Sequence, residues 1–447
     1  MNKIEIKYYS DSTVYGDFLN KQDWFVYLDS CNDIANFGRY DILSCKPETK
    51  ITSFRDKIVL NHNGVISSFY DNPIDIIKKF YKINKQKSSL PFNNGMIGYF
   101  GYEAFNGTKS AEKSKFPDIA VGFYNWSIVV DHKLKKTYVN FKESNHFIND
   151  VIDKFNSDKI KQNNIQNYTF SNFRQHINKQ QYVKDVLKIK DYIVNGDCYQ
   201  VNYSQNFSAN YDGDPWDIYK NVRVINPAPY SSFLSIEDNF IISSSPERFL
   251  SLKNNIVETK PIKGTLKRLD DKSLDANQIN ILKRDEKNLA ENLMIVDLLR
   301  NDLSKCCLLN TVKVEKLFDI ESYASVHHMV STVCGKLDKN YTSVDILKAC
   351  FPGGSITGAP KTRSMEIIYE LEKRKRNIYC GSIGYFDFNN NMDTNICIRT
   401  VMLNNGKLNF SAGGGIVHDS KPEDEYYESL EKVSIFINLF SNGKFSW

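Results

Sequence analysis

The sequence has no apolar run long enough to cross a bilayer, and its first residues, Met1–Lys7, lack the apolar core of a secretory leader. No long block has charge of one sign, although 58 Lys and Arg exceed 53 Asp and Glu. These absences exclude helical membrane proteins and disfavour a nucleic-acid-binding arm. We therefore expect a cytoplasmic protein that binds neither membranes nor nucleic acid. The basic cluster Lys373–Arg376 is typical of a solvated helix end.

The sequence also lacks any C-x-x-C pair, and its nine cysteines are an odd number. Neither a disulfide framework nor a zinc site is therefore supported. We expect these cysteines to be buried, reduced thiols.

The composition, with 41% hydrophobic and 25% charged residues, is that of a globular protein. Residues 1–140 alternate short apolar runs with turn residues and predict a mostly antiparallel β region. Residues 141–178 are rich in Asn, Lys, Asp and Gln and predict a polar linker. Residues 179–447 combine strand patterns with separate helical patterns, so the predicted fold class is α+β.

Helical spacing is clearest in four segments of this last region. The predicted helices lie at about 178–195, 284–300, 360–373 and 420–440. Asn178 and Gln181 form a capping pair for the first helix. Ser420 and Glu423 have the spacing of a capping box for the last helix.

Lys263 lies between two residues that break regular structure, Pro261 and Gly264. A lysine in such a turn is either solvated or directs its amine into a pocket. On composition alone the solvated lysine is the more common case.

Three carboxylates have spacings that suit a metal site. Glu291 sits inside an apolar helix pattern, and Glu425 and Glu428 share one face of another helix. Acids from two helices, without a cysteine or histidine cluster, suit Mg²⁺ bound together with water and an anionic substrate. The alternative is a solvated helix face.

Two further features allow both a structural and a functional interpretation. Gly413, Gly414 and Gly415 follow a strand pattern, and their N–H groups either receive an anion or form a bulge or tight turn. His327 and His328 precede an alternating pattern, where a histidine is either a satisfied structural residue or a catalytic one.

The order of these features resembles the chorismate-utilising enzymes. The resemblance covers nearly all of the chain and is strongest from Tyr182 to Lys432. The matching stretches are Gly196–Asn202, Ser245–Phe249, Pro261–Thr265, Ala290–Asp302, Val326–Thr332, Phe351–Lys361, Ile396–Thr400 and Ala412–Val417. The resemblance implies a large sandwich of two sheets with helices on the outside, in which residues 1–140 and 179–447 pack into one unit.

The resemblance also implies chorismate, a ring with two carboxylates, as the substrate. Glu291 and Glu428 would hold Mg²⁺, with Glu425 close by. The residues that would bind the substrate are Gly264, Thr265, Tyr379, Arg399, Gly413, Gly414, Gly415 and Lys432. Such a dianion requires cations and oriented amides, which agrees with these residue types.

Lys263 matches the family branch that forms 4-amino-4-deoxychorismate on the route to 4-aminobenzoate and folate, whereas anthranilate-forming relatives typically have alanine at that position. The implied reaction begins with attack of the Lys263 amine on C2 of the ring, and ammonia then adds at C4. Glu247 is implied as the general acid and base, with His328 assisting at the same ring edge.

The chain departs from related enzymes at Asn288, where an acidic residue often lies three positions before the metal-binding glutamate. This difference removes one charge near the expected metal.

No glutaminase turn of the Gly-x-Cys-x-Gly type is present, so we expect a separate glutamine amidotransferase subunit to supply ammonia. Related chains bind tryptophan between two stretches that correspond here to Leu28–Ser30 and Asn226–Tyr230. Such a pocket would include Ser30, Pro229, Tyr230 and Ser231.

Two other functions remain open at this point. An anthranilate synthase component I would release pyruvate, whereas the amination reaction retains the enolpyruvyl group. A non-catalytic scaffold that only docks a glutaminase is disfavoured by the presence of six site residues, namely Lys263, Glu247, Glu291, Glu428, Tyr379 and Arg399.

Overall fold

The computed structural model describes residues 1–31, 38–85, 88, 90–105, 114–157, 167–322 and 326–445. In these ranges the chain forms 24 strands and 11 α-helices. The strands are β1 (Asn2–Ile6), β2 (Val26–Asp29), β3 (Tyr40–Ser44), β4 (Thr49–Phe54), β5 (Lys57–His62), β6 (Val65–Tyr70), β7 (Gly95–Phe100), β8 (Ile119–Tyr124), β9 (Trp126–Asp131), β10 (Lys136–Phe141), β11 (Tyr168–Gln175), β12 (Gln200–Gly213), β13 (Tyr230–Ile236), β14 (Asn239–Ser245), β15 (Arg248–Lys253), β16 (Ile256–Thr259), β17 (Ile262–Lys267), β18 (Lys313–Ser322), β19 (Val326–Lys336), β20 (Gly358–Ala359), β21 (Ser382–Asp387), β22 (Met392–Asn395), β23 (Thr400–Asn404) and β24 (Lys407–Ile416). The helices are α1 (Thr13–Leu19), α2 (Pro73–Phe80), α3 (His146–Asn156), α4 (Lys179–Val194), α5 (Pro215–Ile225), α6 (Lys272–Lys283), α7 (Glu286–Ser304), α8 (Ser343–Cys350), α9 (Lys361–Glu372), α10 (Pro422–Glu431) and α11 (Ser434–Phe440).

The strands form two antiparallel sheets of twelve strands each. The first sheet has the order β1-β10-β9-β3-β2-β13-β14-β23-β24-β12-β11, with β20 paired to β12. The second has the order β17-β19-β16-β15-β22-β21-β7-β8-β4-β5-β6, with β18 paired to β19. Both sheets combine strands from residues 1–140 with strands from residues 179–447.

The segment 141–178, predicted as a polar linker, contributes helix α3 and strand β11, which forms an edge of the first sheet. Its residues 158–166 lie outside the described residues. Strands from both sides of this segment therefore take part in each sheet.

Alternation along the strands explains the layers. In β2, Val26 belongs to the core between the sheets, whereas Tyr27 packs with the helices outside the first sheet, because successive side chains of a strand face opposite sides. The core between the sheets joins Val26 and Val129 of the first sheet to Ile97 and Ile383 of the second. These contacts confirm the predicted α+β sandwich.

The helices cover the outer faces of both sheets. Over the first sheet lie α1, α3, α4, α5, α9, α10 and α11. Over the second sheet lie α2, α7 and α8. No helix within the described ranges is both long and apolar enough to cross a membrane.

The predicted helix at 178–195 is confirmed as α4, and the Asn178 side chain accepts the N–H of Gln181. The predicted helix at 420–440 is in fact two helices, α10 and α11. The capping box at Ser420 is wrong, because Lys421 precedes α10 without a side-chain cap. The Ser420 hydroxyl instead donates to Glu425 at 2.6 Å.

The prediction of a solvated basic cluster at Lys373–Arg376 is also wrong. Lys375 and Arg376 are buried, with 8% and 1% of their surface exposed. Lys375 pairs with Asp118 at 3.0 Å, and Arg376 pairs with Glu372 at 2.6 Å. The first partner is distant in sequence, so the local charge pattern gave no sign of it. The nine cysteines, by contrast, are free and buried, as predicted.

Candidate active site

Two helices bring the predicted carboxylates towards one lysine. Helix α7 presents Glu291, and α10 presents Glu425 and Glu428. Lys263 Nζ lies 3.2 Å from Glu291 Oε2, and these side chains are 13% and 12% exposed. Lys263 is therefore directed towards acidic side chains in the interior. Of the two alternatives for this residue, a solvated lysine and one that points into a pocket, the structure shows the second.

A bulge at Gly264 orients Lys263. Strand β17 pairs with β19, and the register shifts between Lys263 and Thr265. Gly264 has a φ of +77°, and a Cβ there would lie 2.7 Å from Leu282 Cδ1 and 3.1 Å from Asn288 Cγ. Only glycine fits this conformation and this close approach.

Asn288 has a structural role at the start of α7. Its backbone N–H donates to Asp285 Oδ1 at 3.0 Å, and its Nδ2 donates to Asp285 Oδ2 at 2.7 Å. A carboxylate at position 288 would repel Asp285, the residue that caps this helix, whereas the amide of Asn288 donates a hydrogen bond to it.

Glu247 lies in the turn between β14 and β15 and is 8% exposed. Ser355 Oγ donates to Glu247 Oε1 at 3.2 Å. Burial raises the pKa of Glu247 to about 7, although Lys263 and Ser355 act in the opposite direction. A carboxyl group with a pKa near neutrality is able both to donate and to accept a proton.

The two acids of α10 differ in their surroundings. Burial raises the pKa of Glu425, which accepts a hydrogen bond from Ser420 and lies 3.6 Å from Lys287 Nζ. Burial acts in the same direction on Glu428, but Lys432, at 2.7 Å, and Lys287 hold its pKa below the ordinary value. Each acid of this helix is thus already within ion-pair distance of a lysine.

The glycine run is part of a strand rather than a turn. Gly413, Gly414 and Gly415 pair with Ser204, Tyr203 and Asn202 of β12. Pairing with β23 ends at Phe410, so in the described structure β24 has no strand partner on that side beyond this residue.

Gly414 faces the acids of α10. A Cβ at this position would lie 3.2 Å from Glu425 Oε2 and 3.4 Å from Lys432 Nζ. The missing side chain therefore leaves room beside the charged groups. Lys432 Nζ also donates to the Gly413 carbonyl at 3.2 Å.

Arg399 lines a cavity of about 90 Å³ together with Asn226, Lys432 and residues 431–436. Burial lowers the pKa of its guanidinium. The Arg399 carbonyl accepts the Ser244 N–H at 3.0 Å, but within the described parts of the chain its guanidinium makes no ion pair or hydrogen bond. A half-buried guanidinium without a partner is costly, so the site has unused capacity to bind an anion.

The two neighbouring histidines have different surroundings. His327 is buried between Ser322 and Asp275, at 2.7 and 2.9 Å, and is the satisfied structural residue. His328 Nδ1 lies 2.8 Å from Thr265 Oγ1. Burial and the nearby Arg399 lower the pKa of His328 to about 4, so its ring is neutral near pH 7.

Tyr379 is buried, and its ring centre lies 5.7 Å from the guanidinium of Arg376. Burial raises the pKa of its hydroxyl well above the ordinary value. The next residue, Cys380, donates its N–H to the Cys397 carbonyl at 2.9 Å. Tyr379 therefore stands beside the segment that leads to Arg399, and among the described residues it makes no contact with Glu291, Glu425 or Glu428.

The residues of the predicted tryptophan pocket meet where β2 pairs with β13. Ser231 pairs with Asp29, Ser30 Oγ donates to Asp41 Oδ1 at 2.7 Å, and Tyr230 lies 5.4 Å from the Arg248 guanidinium. Pro229 immediately precedes β13. Whether tryptophan binds here stays a prediction.

A polar network adjoins this pocket, and its carboxylates are buried. We call it the β2 cluster; its members are Asp29, Asp41, His132, Tyr219 and Arg223. Asp29 Oδ2 accepts hydrogen bonds from Tyr219 and Arg223, both at 2.6 Å. His132 Nε2 lies 2.7 Å from Asp41 Oδ2.

The predicted metal ligands are not yet gathered around one point. No three acidic, histidine or cysteine side chains of the described structure stand close enough to hold a metal ion. Both acids nevertheless interact with Lys263. Its Nζ contacts Glu291, and its positive charge helps to lower the pKa of Glu428. Their oxygen donors suit a hard ion such as Mg²⁺, so the residue types fit even though their present arrangement does not form a complete site.

Sequence reasoning missed three side chains. Ser355 contacts Glu247, and Lys287 approaches Glu425. The third, Arg376, lies against Tyr379. Ser355 belongs to the stretch Phe351–Lys361, whose glycines and prolines did mark an ordered loop. Lys287 gave no signal because its partner is remote in sequence, whereas Glu372, four residues before Arg376, was a local sign that was overlooked.

Comparison with known proteins bears on this geometry. A family model described as chorismate binding enzyme matches residues 25–438. Aminodeoxychorismate synthase component 1 of Escherichia coli is 39% identical over 94% of both chains. Anthranilate synthase component 1 of Acetivibrio thermocellus is 36% identical, covering 93% of this chain and 90% of its own.

Solved structures resemble the whole architecture. Anthranilate synthase component I from Streptococcus pneumoniae has a TM-score of 0.79 and 34% identity, covering 88% of this chain and 91% of its own. The menaquinone-specific isochorismate synthase from Escherichia coli has a TM-score of 0.74 at 17% identity, covering 98% of this chain and 94% of its own. The latter likeness concerns the fold alone.

Proposed function

The chain belongs to the chorismate-binding enzyme family, and from this premise we propose that it aminates chorismate to 4-amino-4-deoxychorismate, for 4-aminobenzoate and folate biosynthesis. The observation that carries the proposal is the position of Lys263, which is largely buried and lies 3.2 Å from Glu291. The resemblance to aminodeoxychorismate synthase component 1 of Escherichia coli supports the same conclusion.

Arg399 and Lys432 would bind the substrate carboxylates. Arg399 has no recorded partner in the part of the chain that the structure describes, and its planar guanidinium suits two-point binding of a carboxylate. The open edge of β24 at Gly413–Gly415 offers backbone N–H groups to the same anion. Tyr379, Gly264 and Thr265 would complete the walls around the ring.

We further propose that Glu291 and Glu428 hold Mg²⁺ when substrate is present, with Glu425 nearby. Bound Mg²⁺ would neutralise and orient a carboxylate of the substrate. The protein supplies the oxygen donors on α7 and α10, and Lys263 and Lys432 must turn away from them. The absence of a side chain at Gly414 leaves room for these groups.

The first half of the reaction removes the 4-hydroxyl. The unprotonated Lys263 amine forms a bond to C2 and becomes a secondary ammonium, the ring double bonds shift, and the C4–O bond breaks. Glu247 donates a proton to the departing oxygen, which leaves as water. A covalent step of this kind divides one difficult displacement into two.

The second half introduces ammonia. Its nitrogen forms a bond to C4, the double bonds shift back, and the bond between C2 and Lys263 Nζ breaks, which releases the lysine as its unprotonated amine. Glu247 accepts a proton from the new ammonium group. The neutral ring of His328, fixed by Thr265, would assist at this ring edge by hydrogen bonding, because a group with a pKa of about 4 supplies no positive charge near pH 7.

Ammonia would come from a glutamine amidotransferase partner. The resemblance to a protein called component 1 supports a second component, and the sequence shows no glutaminase turn of its own.

The proposed reaction is tested by product analysis. The purified protein is incubated with chorismate, Mg²⁺ and ammonium at mildly alkaline pH. We expect a ring amine that yields 4-aminobenzoate only after a lyase is added, with no pyruvate before that addition. Anthranilate together with pyruvate would show instead that the chain is an anthranilate synthase, the alternative that the relative from Acetivibrio thermocellus supports. Absence of any turnover, with retained glutaminase binding, would support the scaffold.

A further inference from the structure

Arg376 occupies an unusual position for an arginine in a basic cluster, since only 1% of its surface is exposed. Its Nη2 and Nε lie 2.6 and 3.1 Å from the two carboxylate oxygens of Glu372. Such a two-point ion pair satisfies the charge of both side chains in the interior. The guanidinium retains further N–H groups, and these reach the walls of the proposed site.

The first of these contacts supports the glycine strand. Arg376 Nη2 donates to the Asn202 carbonyl at 2.7 Å. Glu372 Oε1 accepts hydrogen bonds from Ser204 N at 2.9 Å and from Ser204 Oγ at 2.7 Å. Asn202 and Ser204 pair with Gly415 and Gly413 of β24. The ion pair therefore fixes the strand that backs the proposed carboxylate site.

The second contact supports Glu247. Arg376 Nη1 donates to the Ile356 carbonyl at 3.0 Å. The preceding residue, Ser355, donates its hydroxyl to Glu247 at 3.2 Å. The loop that presents this hydroxyl is thus anchored by the same guanidinium.

The third contact supports Tyr379. The guanidinium lies 5.7 Å from the ring centre of Tyr379 and 4.8 Å from that of Tyr102. The Tyr379 N–H also donates to the Arg376 carbonyl at 3.1 Å. One side chain therefore contacts three parts of the site that are remote from one another in sequence.

We propose that Arg376, held by Glu372, is a positioning residue that sets the geometry of Glu247, Tyr379 and the glycine strand for amination. The inference rests on the proposed function. A lysine could not replace the arginine, because its single nitrogen cannot reach Glu372, Asn202 and Ile356 in the same plane.

The test uses a double variant, Glu372→Gln/Arg376→Met, because Glu372→Gln alone leaves the buried Arg376 without its carboxylate, and Arg376→Met alone leaves Glu372 with only Arg374, at 3.3 Å. The matched control is Asp118→Asn/Lys375→Met. It removes the neighbouring buried ion pair, whose atoms are 3.0 Å apart, without touching Ser355 or β12. Thermal melting and the concentration of folded protein are measured for both.

We expect kcat of the double variant to fall about 100-fold, as a displacement of about 1 Å can cause, with KM for chorismate changed about threefold or less. The limb of the pH–kcat profile that disappears in Glu247→Gln should move to higher pH, because the Ser355 hydroxyl no longer lowers the pKa of Glu247. Ser355→Ala should reproduce that shift. The control should keep both kcat per folded molecule and the profile of the wild type.

Arg376→Lys provides a second measurement if the double variant does not fold. It keeps the charge beside Glu372 and should show the same loss of kcat with a smaller loss of stability. If the double variant or Arg376→Lys keeps the wild-type kcat and pH profile per folded molecule, the residue is merely structural and the inference is overturned. A wild-type protein that forms no aminated product would overturn the proposed function, and the inference with it.

Discussion

Two buried charged clusters of this molecule differ in how completely their groups are paired. In the β2 cluster, Asp29 accepts hydrogen bonds from Tyr219 and Arg223 at 2.6 Å and from the Cys31 N–H at 2.7 Å. In the candidate active site, Glu247 is reached by Ser355 at 3.2 Å, and Arg399 has no recorded partner in the described structure. Both clusters bury charge, but only one satisfies it.

This difference separates structure from function in physical terms. A fully satisfied buried network stabilises the fold, whereas a partly satisfied one costs stability until a ligand completes it. We therefore expect charge removal to have opposite effects on stability in the two clusters. In the candidate active site, the larger effects of mutation should be on turnover rather than on stability.

The largest effect should come from Lys263→Ala. We expect amination with ammonia to fall about 1,000-fold or more, because the covalent step is lost. Intact-mass analysis of quenched wild-type protein should show a lysine adduct that the variant lacks. The matched control is Lys260→Ala, which removes a lysine paired with Glu321 at 3.0 Å, and its turnover should stay near that of the wild type. Unchanged turnover in Lys263→Ala would refute the covalent role.

The next effect concerns Glu247. We expect Glu247→Gln to lower kcat about 100- to 10,000-fold. The wild-type group has its pKa raised to about 7, so it is protonated below that pH and able to release the 4-hydroxyl as water. Adduct formation in a single turnover should therefore decline as the pH rises through about 7. A pH-independent adduct rate would show that another group is the acid.

In the β2 cluster, Arg223→Met leaves the fully buried Asp29 without its cation. We expect a loss of about 3–5 kcal/mol in the free energy of unfolding, measured by denaturant titration. Turnover per folded molecule should match the wild type. A large loss of kcat without loss of stability would mean that this cluster, too, serves the reaction.

The smallest expected change in stability has the opposite sign. Arg399→Met removes a half-buried guanidinium that has no partner in the described parts of the chain, so the free energy of unfolding should rise by about 1 kcal/mol. Chorismate binding should weaken about tenfold or more, because a two-point carboxylate contact is lost. Calorimetric titration measures the second effect and thermal melting the first. A destabilised variant would contradict the contrast between the clusters.

Much of the architecture could be predicted from the sequence because it depends on local patterns. Short apolar runs between turn residues predicted β7 and β9, and helical spacing with the Asn178 cap predicted α4. The capping box at Ser420 failed because a side chain five residues on, Glu425, competes for the same hydroxyl. Local spacing does not reveal which of two partners a polar group chooses.

The site was predicted less completely, for a related reason. The resemblance located Lys263 and Glu291, which the structure does bring together. It did not reveal that Lys375 pairs with Asp118 and Arg376 with Glu372 in the interior. The pairing of Lys375 with a residue remote in sequence depends on the assembled sheets, whereas the spacing of four residues between Glu372 and Arg376 was visible in the sequence.

The bulge at Gly264 separates the backbone conformation of β17 from the choice of side chain at position 263. The left-handed conformation belongs to Gly264, and the register shift is fixed by pairing with β19. The backbone at position 263 therefore does not depend on which side chain it bears. A substitution there removes or replaces the amine while the backbone that carries it stays unchanged. The chemical group offered to the ring is therefore independent of the turn that aims it.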